Sequence, residues 1–171
     1  MIKKTASIFY GGYLKRAGGA FFHARNMQIG LSDMGWDVEI ITLDNLPFWC
    51  RYIPSGIERL INYFSSPIGF IYKGKITRFL YKFFFTTRRD LFVFEDIYLS
   101  WNSTVPSITV LHAVWSDNLQ AYSSSPRKEV LFRKHEVTLI NAIEHPVVTV
   151  SNPYKNYICN THFMGQLNKP I

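Results

Sequence analysis

One apolar run of this sequence ends in an imidazole: Ser107-Ile108-Thr109-Val110-Leu111-His112, followed by Ala113-Val114-Trp115-Ser116-Asp117. A histidine at the carboxyl end of a strand can donate to a developing charge or position a ligand hydroxyl. The bland alternative is a half-buried histidine bonded to a neighbouring carbonyl. Both stay open at this point.

A second candidate is the loop from Gly11-Gly12 to Gly18-Gly19, which carries Lys15 and Arg16 and runs straight into a helical pattern. Free N–H groups and the dipole of a helix N-terminus favour an anion such as phosphate, and glycine lets the backbone approach it. The loop lacks G-x-G-x-x-G and has no Lys-Ser/Thr after its last glycine, so it is neither a dinucleotide fingerprint nor a P-loop.

Other constellations are excluded by spacing. His23, His135, His145 and His162 form no H-x-x-x-H or HExxH, and no Asp-x-Asp occurs, Glu95-Asp96 being the nearest acidic pair. A metal-independent chemistry is therefore expected. Ser151 has no G-x-S-x-G around it, which argues against a hydrolase nucleophile. Asp44 stands roughly where a ribose-binding acid would in a dinucleotide enzyme, yet without the fingerprint glycines it reads as a turn residue.

The elements that must position these groups alternate. Strands are predicted at Thr5–Tyr10, Asp37–Asn45, Leu91–Glu95, Ser107–His112 and Pro146–Ser151. Between the first two lies a helix on which Phe22, Met27, Leu31 and Met34 share a face, with Gly35 as its stop. A long helical pattern runs from about Pro126 to Glu144 and another follows Pro153. This predicts an α/β fold, a doubly wound and mostly parallel sheet with helices on both faces. Ligands of such sheets collect beyond the carboxyl strand ends.

The stretch 46–89 departs from that rhythm. It is aromatic and basic, broken by Pro47, Pro54 and Pro67, with predicted helices at Ser55–Phe64 and Lys75–Phe85, and reads as an insertion in a single domain spanning 1–171. Between Lys73 and Arg89 the six cations Lys73, Lys75, Arg78, Lys82, Arg88 and Arg89 occur without an acid, while the thirteen other cations face all twelve acids of the chain. Ile76, Phe79, Leu80 and Phe83 fall at helical spacing, with Lys75, Arg78 and Lys82 on another stripe. That is a cationic amphipathic helix suited to an anionic bilayer surface. No recognised nucleic-acid motif accompanies it, so nucleic acid is not expected.

Composition sets the outer bounds. An apolar content of 47% in 171 residues supplies a core and excludes wholesale disorder. Two distant cysteines, Cys50 and Cys159, make neither a disulfide framework nor a C-x-x-C pair, so a cytoplasmic setting is expected. No apolar run reaches the ~18 residues of a spanning helix, which restricts any expected membrane contact to the periphery.

The order of these pieces resembles the N-terminal half of a GT-B glycosyltransferase of the large retaining family four. The matching segments are the strand Ser7-Ile8-Phe9-Tyr10, then Gly18-Gly19-Ala20 with His23 early in the helix, then Gly35-Trp36-Asp37-Val38-Glu39-Ile40-Ile41-Thr42. The strand ending in His112, and Val148-Thr149-Val150-Ser151 with Glu136 before it and Tyr154, Lys155 and Tyr157 after, continue the match. Phe21 stands where an acid often follows the glycines, and Phe94-Glu95-Asp96 replaces a histidine-containing segment.

The resemblance implies a Rossmann-like domain and sugar transfer from a nucleotide-sugar donor to a glycan or lipid-linked acceptor, without cofactor or metal. His112 would contact the transferred sugar. Gly18 and Gly19, with Lys15 and Arg16 nearby, would meet a donor or acceptor phosphate. Glu95, Asp96, Trp115 and Ser151 would lie on the acceptor side, and the nucleotide would be held mainly by a second domain beyond Ile171, so that this chain alone is expected to be inactive. The competing expectation is a non-catalytic Rossmann-like module that binds anionic lipid or nucleic acid through its basic patch.

Overall fold

Short β-branched and aromatic runs bounded by glycine, proline and acidic turns give five strands: β1 (Thr5–Phe9), β2 (Asp37–Ile41), β3 (Leu91–Phe94), β4 (Ser107–Leu111) and β5 (Val147–Thr149). In the computed structural model, which describes residues 3–16, 18–86, 89–122, 126–168 and 170–171, they form one all-parallel sheet in the order β2-β1-β3-β4-β5. The chain moves outward in one direction from β1 and in the other from β3, so the loops after these two strands diverge. A crevice at the carboxyl edge follows from that divergence.

Among the described residues, six α-helices flank the sheet: α1 (Gly19–Asp33), α2 (Ile53–Ser65), α3 (Gly69–Phe84), α4 (Trp115–Tyr122), α5 (Pro126–Ala142) and α6 (Asn152–Tyr157). Ala24 and Met27 of α1 pack with Ile8, Val93 and Val110. Residues of opposite parity, Phe9, Phe92 and Phe94, meet Leu80 and Tyr81 of α3 instead, because successive strand side chains point to opposite faces. Helices thus cover both faces. As expected, Gly35 ends α1, with φ +86 and its N–H on the Ser32 carbonyl at 2.9 Å, a left-handed position that suits glycine.

The aromatic core seats the insertion firmly. Trp101 meets Phe94 at 4.5 Å and Phe9 at 4.9 Å between ring centroids, with steep interplanar angles, contacts worth roughly 0.5–1.5 kcal/mol each beyond burial. Tyr81 donates its hydroxyl to the Tyr10 carbonyl at 2.7 Å, fixing α3 against the end of β1. α2 and α3 form a close antiparallel pair because Gly69 lets the backbone of α3 approach the Glu58 carbonyl.

Three expectations need correction. α3 begins at Gly69 rather than Lys75. α4 was not anticipated: its sequence lacks a long apolar stripe, and a tertiary contact described below holds its first turn. Most consequentially, the foreseen apolar stripe of α3 divides between the core and the outside. Ile71, Gly74, Thr77, Leu80 and Tyr81 are buried, whereas Phe79 and Phe83 are exposed among Lys75 and Lys82. Leu80 and Ile76 of the foreseen stripe pack on the core, while Phe79 and Phe83 of the same stripe stay outside. Among the described residues, no helix is long and apolar enough to cross a membrane.

Candidate functional site

Glu95, immediately after β3, has its side chain wholly buried, and two imidazoles meet it. His112, immediately after β4, places Nε2 at 2.5 Å from Oε2. His23, in the second turn of α1, places Nδ1 at 3.0 Å from the same oxygen. The rings lie edge to face at 4.8 Å. A carboxylate only accepts, so each histidine donates to it through the nitrogen that faces it. Both histidine side chains keep part of their surface open to solvent, 36% and 21%.

This cluster joins a buried charge to two proton-carrying rings at the carboxyl edge, the pattern in which a third group orients a base. Its three donor atoms lie within 4.8 Å of one another, and two histidines with a carboxylate are a donor set for zinc or ferrous iron. At 2.5 and 3.0 Å the atoms are spaced for hydrogen bonds. Ligands of one zinc ion, each ~2.0–2.1 Å from the metal, would stand farther apart, so metal entry requires the cluster to open.

Asp96, next in the chain, lines a cleft of about 850 Å³ between the loop after β1 and the α2–α3 pair, while Glu95, His23 and His112 are not among its lining residues. Burial raises its carboxyl to about 6, against the lowering effects of the Tyr98 N–H and of His112, which suits proton exchange near neutrality. Tyr10, Gly12, Lys15, Arg51 and Lys73 line the same cleft. Thr77 lines it too, with a buried hydroxyl that has no hydrogen-bond partner among the described residues, a group a ligand could satisfy. Asp44 closes one side by accepting from the Leu14 N–H at 2.8 Å, the turn role expected of it.

The other anticipated residues divide. Gly18 caps α1 with its carbonyl, accepting from Phe21 at 3.0 Å and Phe22 at 3.2 Å, and Gly18 and Gly19 are exposed. Neither lines the cleft, where Gly11 and Gly12 are found instead. The backbone of Arg16 completes a short 3-10 turn with Leu14 and Lys15. Ser151 caps α6, its Oγ accepting from the Tyr154 N–H at 3.3 Å. Trp115 opens α4, its N–H on Glu136 Oε1 at 2.5 Å and its ring against Phe70. Both have structural partners.

The six cations do not form one patch. Lys73 pairs with Glu58 at 2.9 Å and Arg89 with Glu39 at 2.7 Å, acids distant in sequence that a local count could not foresee. Lys75, Arg78 and Lys82 remain together on α3, and Arg88 lies outside the described residues.

Glu136 explains α4. Wholly buried on α5, it accepts from the Trp115 and Ser116 N–H groups, the Ser116 hydroxyl and the Tyr98 hydroxyl, capping the helix from a distance of twenty residues. Burial nevertheless raises its carboxyl to about 7.

Sequence reasoning missed His23 as a partner of His112. The available signal was its position one turn into the helix that leaves the glycine loop, since that turn returns over the carboxyl edge. No family model, curated protein or solved structure matches this chain.

Proposed function

We propose that this chain is the acceptor-side, N-terminal domain of a GT-B glycosyltransferase, moving a sugar from a nucleotide-sugar donor to a glycan or lipid-linked acceptor, at the cytoplasmic membrane face in the lipid-linked case. The observation that carries this reading is the convergence of His112, Glu95 and His23 at the crevice where the strand order reverses, beside a polar and aromatic cleft. The resemblance in motif order along the chain adds to it.

In this reading His112 faces the transferred sugar and Glu95 fixes its tautomer, holding any positive charge the ring gains. The exposed N–H groups at the start of α1 and the side chain of Lys15 offer donors to a phosphate. The cleft between the first loop and α2–α3 takes the acceptor, with aromatic walls for a sugar face and Asp96 as an acid near neutrality. No step calls for a metal. A second domain holds most of the nucleotide, so this domain alone transfers little.

The test is nucleotide release by the product of the whole gene with a panel of nucleotide sugars and membrane extract, beside His112→Ala. Transfer by the parent and its loss in the variant support the reading. If the parent folds, yet no donor is turned over or bound, a non-catalytic module becomes the working model.

A further inference from the structure

A second concavity of about 400 Å³ lies between α3 and the end of α5, floored by Ser100–Asn102. Lys75, Arg78 and Lys82 line it, with Phe79, Trp101 and Leu139 as apolar walls, and no acid among the described lining residues. None of the three cations has an ion pair among the described residues. Arg78 is half-buried and its guanidinium has one long hydrogen bond among the described residues, to the Ser100 carbonyl at 3.4 Å, although that group carries five donors.

Burial lowers the pKa of Arg78. Burial, then Lys75 and Arg78, also discourage protonation of His135 on α5. Three uncompensated charges in one groove suit a compact anion. The flank identifies what that anion is attached to: Tyr72, Phe79 and Phe83 are exposed along the same helix, Phe79 by 67% and Phe83 by 69%. Aromatic rings beside lysines fit the boundary between headgroups and acyl chains.

We propose that the groove between α3 and α5 holds the phosphate headgroup of an anionic lipid, with Phe79 and Phe83 entering the bilayer beside it. The inference rests on the membrane-facing part of the function proposed above and is independent of sugar transfer. It replaces a uniform six-cation patch with a defined site of three, oriented by the groove.

The test is sedimentation of the whole chain with phosphatidylcholine vesicles, with and without about one part in three of phosphatidylglycerol, no sugar donor being present. Binding is expected only to the anionic vesicles and should weaken with salt. Lys75→Glu with Lys82→Glu, both exposed positions, should reduce it by about tenfold or more. Arg25→Glu with Lys155→Glu, the same charge change away from the groove, should retain most of it. Phe79→Ser with Phe83→Ser should weaken binding at every salt concentration. Circular dichroism checks that each variant is folded.

Equal losses in the two charge-reversal pairs would reduce the effect to net charge and overturn the site. So would tight binding of inorganic phosphate at the groove with no vesicle affinity, or preference for single-stranded RNA over vesicles. Vesicle binding in a protein that turns over no donor would uphold this site while sinking the transferase reading; the reverse pattern would separate them the other way.

Discussion

His112 Nε2 lies 2.5 Å from Glu95 Oε2, and the same carboxylate oxygen receives His23 Nδ1 at 3.0 Å. One wholly buried acid therefore orients two partly open imidazoles, one from the end of β4 and one from α1, far apart in sequence.

Glu95→Gln keeps the volume but removes the negative charge and turns one of the two acceptor oxygens into a donating NH2, so both histidines lose their charge-assisted bonds to the carboxylate. On the proposed function, sugar transfer by the product of the whole gene should fall by about tenfold to a hundredfold, chiefly in kcat, with the pH–rate profile displaced. His23→Ala should lower transfer less than His112→Ala, because the direct role is assigned to His112. Equal activity of Glu95→Gln and the parent would remove Glu95 as a positioning residue.

Chelation distinguishes the hydrogen-bonded cluster from a metal centre. Transfer should survive prolonged EDTA treatment. Loss on chelation, with recovery on adding zinc and no recovery in His23→Ala, would reassign the three side chains as ligands.

The carboxyl of Glu136 is raised from 4.5 to about 7 by burial, which outweighs its four hydrogen-bond donors. The folded state thus holds this proton more tightly than the unfolded chain. Its contribution is fully present below about pH 4.5 and is lost as the pH rises through about 7, an effect on the order of 3 kcal/mol for this group. Melting temperatures of the parent should decline from pH 5 to 8 more steeply than those of Glu136→Gln.

Three glycines separate steric from entropic effects. A Cβ at Gly69 would stand 2.3 Å from the Glu58 carbonyl oxygen, and one at Gly74 would stand 2.7 Å from Tyr98 Cβ. Gly69→Ala and Gly74→Ala should each destabilise the chain by roughly 1–3 kcal/mol. Gly30, inside α1, has nothing within 4 Å of such a carbon, and Gly30→Ala should stabilise by roughly 0.5–1 kcal/mol. Urea midpoints measure all three.

The strand runs, the helix that ends at Gly35, the interruption by an aromatic and basic insertion and the place of His112 at a strand end were all legible in the residues, because each depends on local alternation or a local stop signal. Those features imply a parallel α/β sheet whose chemistry gathers at one edge. What local order could not decide was partnership. Glu95 meets His23 and His112 only because parallel register brings the ends of β3 and β4 together under the first turns of α1. Likewise Glu136 caps α4, Glu58 and Glu39 neutralise Lys73 and Arg89, and Phe79 and Phe83 are left outside while Tyr81 goes in. Charge pairing and the division of an apolar stripe between core and outside are set by what lies across space, and that is fixed only when the sheet and helices pack.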